Sequence, residues 1–219
     1  MAVLSDANSE LINCYKVVRD NPKALLKELA GYQIEEDEFY RIRSLDTAKL
    51  TPLRQAARMI YLNKTCFNGL YRVNRKGQFN TPFGHAKNPR LADDDNLMNV
   101  SERLKRVELD TASYDTILLQ NAKIGDFVYL DPPYLPISAY SDFNRYTKGQ
   151  FGEADHVNLA NVFKELDKRG CHLLLSNSYH PKVHALYSEF KIKTVSAPRF
   201  INCKGGSRGD IKELLVTNF

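Results

Sequence analysis

The chain has 219 residues, 43% hydrophobic and 26% charged, with a formal net charge of +5. That is enough chain to bury a core in one domain, or in one domain carrying an insertion. No apolar run approaches the roughly 18 residues of a membrane span, and Ser5 and Asp6 follow Met1-Ala2-Val3-Leu4 too early for a secretory leader.

Ala2-Val3-Leu4 reads as a strand with Asp6 just past its end. Asn8-Ser9-Glu10 then starts a helix with Leu11, Ile12, Tyr15 and Val18 at helical spacing. An acid after a strand of a nucleotide-binding α/β fold bonds ribose hydroxyls, although a capping or turn role for Asp6 is the commoner reading. A second helix runs from Pro22 to Leu29, with proline in its first turn. Glu35-Glu36-Asp37-Glu38 opens a third, through Arg43. Pro52 opens a longer one, whose apolar face is Leu53, Ala56, Ala57, Ile60 and Tyr61, with Arg54 and Arg58 on another face.

From Cys66 to Pro89 the helical period stops. Turn residues, cations and aromatics alternate around a hairpin predicted at Lys76-Gly77. Thr47 to Ala92 contains no Asp or Glu, yet holds Lys49, Arg54, Arg58, Lys64, Arg72, Arg75, Lys76, Lys87 and Arg90. An acid-free basic stretch of this length suits a polyanion, whose phosphates Lys and Arg neutralise with release of counterions.

Asp93 to Arg106 reads as a helix with Leu97, Val100 and Leu104 on one side. Val107 to Leu109 is a short strand and Asp115 to Asn121 a short helix. Phe127-Val128-Tyr129-Leu130 is a buried strand that runs into Asp131-Pro132-Pro133-Tyr134. Two prolines forbid continuation of strand or helix and push Asp131 to extended backbone. A carboxylate, rigid carbonyls and an aromatic ring are thereby held at the C-terminal end of a strand, where open α/β sheets bind ligands. Leu135 to Gly152 reads as a closing loop. A helix from Glu153 to Arg169 follows, with Val157, Ala160, Val162, Phe163 and Leu166 as core candidates. Cys171 to Leu175 is a strand followed by Ser176-Asn177-Ser178, and Val183 to Glu189 a helix. Phe190 to Val195 and Ile211 to Thr217 form a closing strand pair around the loop Lys204 to Gly209. Strands alternating with helices predict an α/β domain with a mostly parallel sheet. The four cysteines show no CxxC spacing, which argues against a zinc site or a disulfide framework and fits a reducing cytoplasm.

An exocyclic amino group suits the tetrapeptide chemically. Its lone pair is conjugated with the ring and a poor nucleophile. Donating its two N–H groups to the Asp131 carboxylate and the Pro132 carbonyl favours a more tetrahedral nitrogen, which frees the lone pair to attack an activated methyl group. Tyr134 can stack on the base only if the base is flipped out of the duplex.

On these residues the chain resembles the Dam-type (D12 class) DNA adenine-N6 methyltransferases. The match rests on Asp131-Pro132-Pro133-Tyr134 and on the loop Phe67-Asn68-Gly69-Leu70-Tyr71-Arg72 with Gly77-Gln78-Phe79-Asn80-Thr81-Pro82-Phe83-Gly84. Leu4-Ser5-Asp6-Ala7-Asn8, Leu175-Ser176-Asn177, and Arg208 with Glu213-Leu214-Leu215 complete it. The resemblance implies S-adenosylmethionine as methyl donor and N6 of adenine in double-stranded DNA, commonly within GATC, as acceptor. Asp131, Pro132 and Tyr134 would act on the target base. Asp6, Ser113, Tyr114 and Asp131 would hold the donor. Arg72 would read a guanine through O6 and N7. Leu70 and Pro82 would touch bases, Asn68 a phosphate, and Phe67 would wedge into the opened stack. Arg75, Lys76 and Lys87 belong to the same DNA-facing set.

The implied fold is α/β, a Rossmann-like S-adenosylmethionine-dependent methyltransferase sheet lacking its first strand, with an inserted, mainly helical target-recognition subdomain. Residues 1–38 and 107–219 would form the catalytic domain and residues 39–106 the insertion. The family's opening segment, its first strand and the glycine loop that holds the methionine end of the donor are not found before Ala2. The expectation is therefore that this chain binds the donor weakly until a separate N-terminal polypeptide completes it. Two alternatives stand beside this: a truncated, non-catalytic DNA-binding remnant or one half of a split methyltransferase, and a cytosine-N4 or RNA methyltransferase. The Asn68 to Gly84 loop argues against the last. A cytoplasmic, bacterial or phage-encoded protein of restriction-modification type is expected.

Overall fold

The computed structural model describes residues 2–87, 89–136, 151–198 and 210–219. They fall into two compact units, one running through Tyr114 and the other beginning at Asp115. Among the described residues, no helix is long and apolar enough to cross a membrane.

In the first unit, β1 (Ala2–Asp6) pairs in parallel with β2 (Val107–Thr111), Asp6 lying opposite Thr111. Asp6 is thus the last residue of the strand rather than beyond it. The unit has five α-helices, α1 (Ser9–Asp20), α2 (Pro22–Ala30), α3 (Glu36–Arg43), α4 (Pro52–Thr65) and α5 (Asp94–Leu104), of which α1 and α5 pack on this pair. Asn8 caps α1, its side-chain oxygen accepting from the Glu10 and Leu11 amides, and Thr51 caps α4 with Pro52 at the first turn. The buried face of α1 is Ile12, Cys14, Val17 and Val18, while Tyr15 is exposed. The face is rotated from the expected one because α1 packs against α4, α2 and α5 at once.

Helix α4 is the axis of the unit. Ala56 and Ala57 are small enough to admit Ile12, Val17, Leu25 and Leu104 on one side. Tyr61, Leu62 and Cys66 pack against Phe39, Ile42 and Phe79 on the other. Arg58 faces neither solvent nor a DNA-facing surface. It is 4% exposed, and its guanidinium donates to the Ile42 carbonyl at 3.0 Å and the Arg43 carbonyl at 2.9 Å. Those carbonyls close α3, where the Ile42 carbonyl also accepts from the Leu45 amide at 3.3 Å; the cation adds a charged donor to both and complements the helix dipole.

The second unit carries a four-stranded sheet in the order β3-β4-β6-β5: β3 (Phe127–Leu130), β4 (His172–Ser178), β6 (Asp210–Thr217) and β5 (Lys191–Pro198). Only β3–β4 is parallel; β6 runs antiparallel to both neighbours. The expected mostly parallel sheet is therefore a mixed one, because β6 returns between β4 and β5. Helices α6 (Tyr114–Asn121), α7 (Glu153–Lys168) and α8 (Pro181–Leu186) complete the elements. The unit buries Val128 and Leu130 of β3, Leu173 and Leu175 of β4, and Leu159, Ala160, Val162, Phe163 and Leu166 of α7. Val157 is 44% exposed and His156 is buried in its place. Strand β3 ends the sheet, with Phe127 61% and Tyr129 55% exposed. The loop expected at Leu135 to Gly152 falls mostly outside the described residues, as do Lys204 to Gly209 and Arg208.

Candidate active site and nucleic-acid interface

The parallel register of β3 and β4 sets Leu130 opposite Leu175. The next residue on each side is Asp131 and Ser176, and Ser176 Oγ donates to Asp131 Oδ1 at 2.8 Å. The Tyr129 hydroxyl lies 3.2 Å from the same Ser176 oxygen. The two prolines carry the chain onward, and the Leu135 amide donates to Asn177 Oδ1 at 3.1 Å. The Leu135 carbonyl accepts from Ser178 Oγ at 2.6 Å. Strand β6 brings in Glu213, which pairs with Ser178 in register. Tyr134 Oη donates to Glu213 Oε2 at 3.3 Å. Burial is the main cause that pushes the Tyr134 phenol up to about 12; the neighbouring Ser176 hydroxyl opposes it, and the nearby Glu213 and Asp131 carboxylates act with burial. Tyr134 therefore stays neutral at any working pH.

The corner thus joins Asp131, Pro132 and Tyr134 to Tyr129, Ser176, Asn177, Ser178 and Glu213. Sequence reasoning gave these last five no role. For Ser176, Asn177 and Ser178 the signal is three successive polar residues at the end of an apolar strand, and in the fold they are at most 4% exposed. Polar groups buried like this are costly unless hydrogen-bonded.

In the first unit, Asp6 and the Ala112–Tyr114 segment lie at the C-terminal ends of neighbouring parallel strands. Ser5 Oγ donates to the Ala112 carbonyl at 3.2 Å, and Asp6 Oδ1 accepts from the Asn8 amide at 2.6 Å. That second bond is the turn role, and it also fixes an exposed carboxylate at the strand end. Asp6, Ser113 and Tyr114 thus place a carboxylate, a hydroxyl and a phenol ring at these neighbouring strand ends.

The basic loop is built on the end of α4. Phe67, Asn68 and Gly69 form one 3-10 turn, with Asn68 (φ 54°) and Gly69 (φ 63°) in the left-handed region. Asparagine and glycine tolerate that backbone. Isolated bridges pair Cys66 with Phe83 and Val73 with Phe79. Asn74 closes the predicted hairpin: its side-chain oxygen accepts from the Lys76 and Gln78 amides at 2.9 and 3.0 Å, and Gly77 has φ 81°. Arg75 and Lys76 are exposed at the tip, as are Phe67, Asn68, Pro82 and Lys87 elsewhere on the loop. Leu70 is half-buried, its carbonyl accepting from Thr81 Oγ1 at 2.6 Å. Arg72 is held by Asn80: Nε donates to Oδ1 at 2.8 Å. Among the described residues, no cluster of His, Cys, Asp or Glu could hold a metal ion.

The second unit thus sets an Asp-Pro-Pro-Tyr corner at the end of a strand of a mixed sheet. The family model for D12 class N6 adenine-specific DNA methyltransferase matches residues 1–201, and the chain belongs to that family. It is 42% identical to the type II methyltransferase M.MjaIII of Methanocaldococcus jannaschii over 99% of this chain and 80% of that protein. It is 32% identical to the DNA adenine methylase of Serratia marcescens over 98% of this chain and 80% of that protein. The DNA adenine methylase of Escherichia coli is 30% identical over 98% of this chain and 78% of its own length.

Proposed function

We propose that the protein transfers a methyl group from S-adenosylmethionine to N6 of adenine in double-stranded DNA, within GATC. The observation that carries the reading is the Asp131 carboxylate at the end of β3, with one oxygen tied to Ser176. The target amino group donates to the Asp131 carboxylate and to the Pro132 carbonyl, which draws the nitrogen toward tetrahedral geometry and frees its lone pair. Tyr134 stacks on the flipped base. The donor, when bound, supplies an electrophilic methyl group. After transfer the amino nitrogen gives up one proton to solvent. Asp6, Ser113 and Tyr114 hold the donor's nucleoside.

Arg72, pre-oriented by Asn80, reads a guanine. Leu70 and Pro82 touch base edges and Phe67 fills the opened stack. Asn68, Arg75, Lys76 and Lys87 grip phosphates, which position the duplex without reading it. In this reading residues 39–106 serve recognition and the remainder serves catalysis.

The parallel pairings of β1 with β2 and of β3 with β4 support a Rossmann-like sheet. Calorimetry tests the donor site: S-adenosylmethionine binding that Asp6→Ala weakens is expected, and unchanged binding in Asp6→Ala would remove Asp6 from it. Site specificity is tested by challenging plasmid DNA, after incubation with the protein and donor, with an endonuclease that cuts only unmethylated GATC. Protection is expected; full cleavage, with methyl groups found at other sequences, would remove GATC from the reading.

A further inference from the structure

We propose that Ser176 is the positioning residue of the acceptor carboxylate, set by Tyr129 and backed by a clamp that Asn177 and Ser178 close on the far side of the Asp-Pro-Pro-Tyr corner. This rests on the function proposed above. Asp131 is an exposed side chain at the end of a sheet-edge strand. Nothing in the tetrapeptide itself fixes its rotamer, because proline restrains backbone rather than the neighbouring χ1. The restraint comes from β4, 45 residues further along the chain.

A carboxylate only accepts, so the Ser176 hydroxyl must donate to Asp131 Oδ1. The Ser176 oxygen then accepts from the Tyr129 hydroxyl, which resolves the direction of that 3.2 Å bond. The order is Tyr129 to Ser176 to Asp131. One carboxylate oxygen is thereby committed to the protein, and Oδ2 is left for the substrate amino group. On the other side of the corner, Asn177 takes the Leu135 amide and Ser178 donates to the Leu135 carbonyl. Three consecutive residues of β4, exposed by 4%, 0% and 4%, therefore fix both ends of the segment that bears the Pro132 carbonyl. The two acceptors that the amino group needs, a carboxylate oxygen and a carbonyl, are held at a fixed separation by one strand end.

A group that orients another should change kcat and spare substrate affinity. In the methylating mixture defined above, Ser176→Ala is expected to lower kcat by about 10- to 100-fold, the usual cost of misplacing a reacting group by about an ångström. The KM values for DNA and donor should not move. Tyr129→Phe, on an exposed side chain that folding does not need, should lower kcat about 2- to 10-fold, one neutral hydrogen bond converted to rate. Ser176→Thr, which keeps the hydroxyl, should recover most of the loss. In the Asp131→Asn background, Ser176→Ala should have no further effect on the residual rate, since its partner is already altered. Thermal unfolding of each variant separates folding from chemistry.

Unchanged kcat in Ser176→Ala overturns the proposal, as does an equal loss in the Asp131→Asn background. So does a loss that appears only in KM. If the unsubstituted protein makes no N6-methyladenine at all, the functional reading itself fails. If it does and Ser176→Ala matches it, only the positioning role fails.

Discussion

Gly84→Ala tests whether the recognition loop is held to helix α4 by direct backbone contact. A Cβ at Gly84 would stand 2.4 Å from the Cys66 carbonyl oxygen, 2.7 Å from its carbon and 3.0 Å from the Phe67 nitrogen. All three atoms are backbone, so no flexible side chain can swing away. Restoring ordinary contact requires the two arms of the loop to separate by about 1 Å, because contacts of this kind normally begin at 3.4 Å. Two hydrogen bonds lie at that seam: the Gly84 amide to the Thr65 carbonyl and the Phe67 amide to the Pro82 carbonyl, both 2.9 Å. Losing them costs about 0.5–1.5 kcal/mol each, and residual strain adds roughly 1–3 kcal/mol. A destabilisation of about 2–6 kcal/mol is expected, or roughly 4–24 °C in Tm for a chain of this length.

The separation also displaces Phe67, Asn68 and Arg72, so affinity for cognate DNA should fall. Gly31→Ala is the matched control, since its Cβ would meet only the Glu28 carbonyl at 3.4 Å and its backbone is right-handed. Thermal unfolding followed by circular dichroism and fluorescence anisotropy on a labelled duplex supply the readouts. A Gly84→Ala protein with the Tm and DNA affinity of Gly31→Ala would refute the reasoning.

Arg72→Ala should cost about 1–3 kcal/mol on cognate DNA and relax discrimination at one guanine, whereas an equal loss on cognate and non-cognate duplexes would remove Arg72 from base reading. Asn80→Ala should show a weaker version of the same pattern, because it frees the Arg72 guanidinium without removing it. Arg58→Leu should destabilise by about 2–4 kcal/mol, since it takes the charged donor from the Ile42 and Arg43 carbonyls and leaves Glu10, 3.7 Å away, without its cation; unchanged denaturant midpoints would contradict this. His156 is 1% exposed with neither ring nitrogen hydrogen-bonded, and burial holds its pKa below 6.5 against the raising effect of Asp155 and Glu153, with His180 lowering it further. Its neutral form is favoured in the folded state. The stability it contributes is therefore present above pH 6.5 and lost as pH falls through the folded pKa. Tm should fall on acidification across that window, and His156→Leu should flatten the slope; identical pH profiles would rule His156 out as the cause.

The parts of the site fixed by local chemistry were legible in the sequence. Prolines force the corner after Leu130, and Asn74 with Gly77 dictates the hairpin. Helices α1 to α5 followed from apolar spacing and their end signals. What failed did so for want of partners. Arg58 looks like a surface cation at i, i+4 from Arg54, but the end of α3 supplies carbonyls that only the folded chain brings to it. Val157 and His156 exchange places because α7 rotates a fraction of a turn from the face that hydropathy alone selects. The Ser176-Asn177-Ser178 clamp acts across more than 40 residues, a distance over which periodicity carries no information. The mixed sheet depends on where β6 inserts, which strand propensity does not decide.

The central claim is that Asp131 presents adenine N6 to the donor. It is tested most directly by nucleoside mass spectrometry of DNA incubated with S-adenosylmethionine and the protein. The account predicts N6-methyladenine with the unsubstituted protein and its loss in Asp131→Ala, with DNA affinity retained. N4-methylcytosine as the product, or N6-methyladenine that persists in Asp131→Ala, would contradict it.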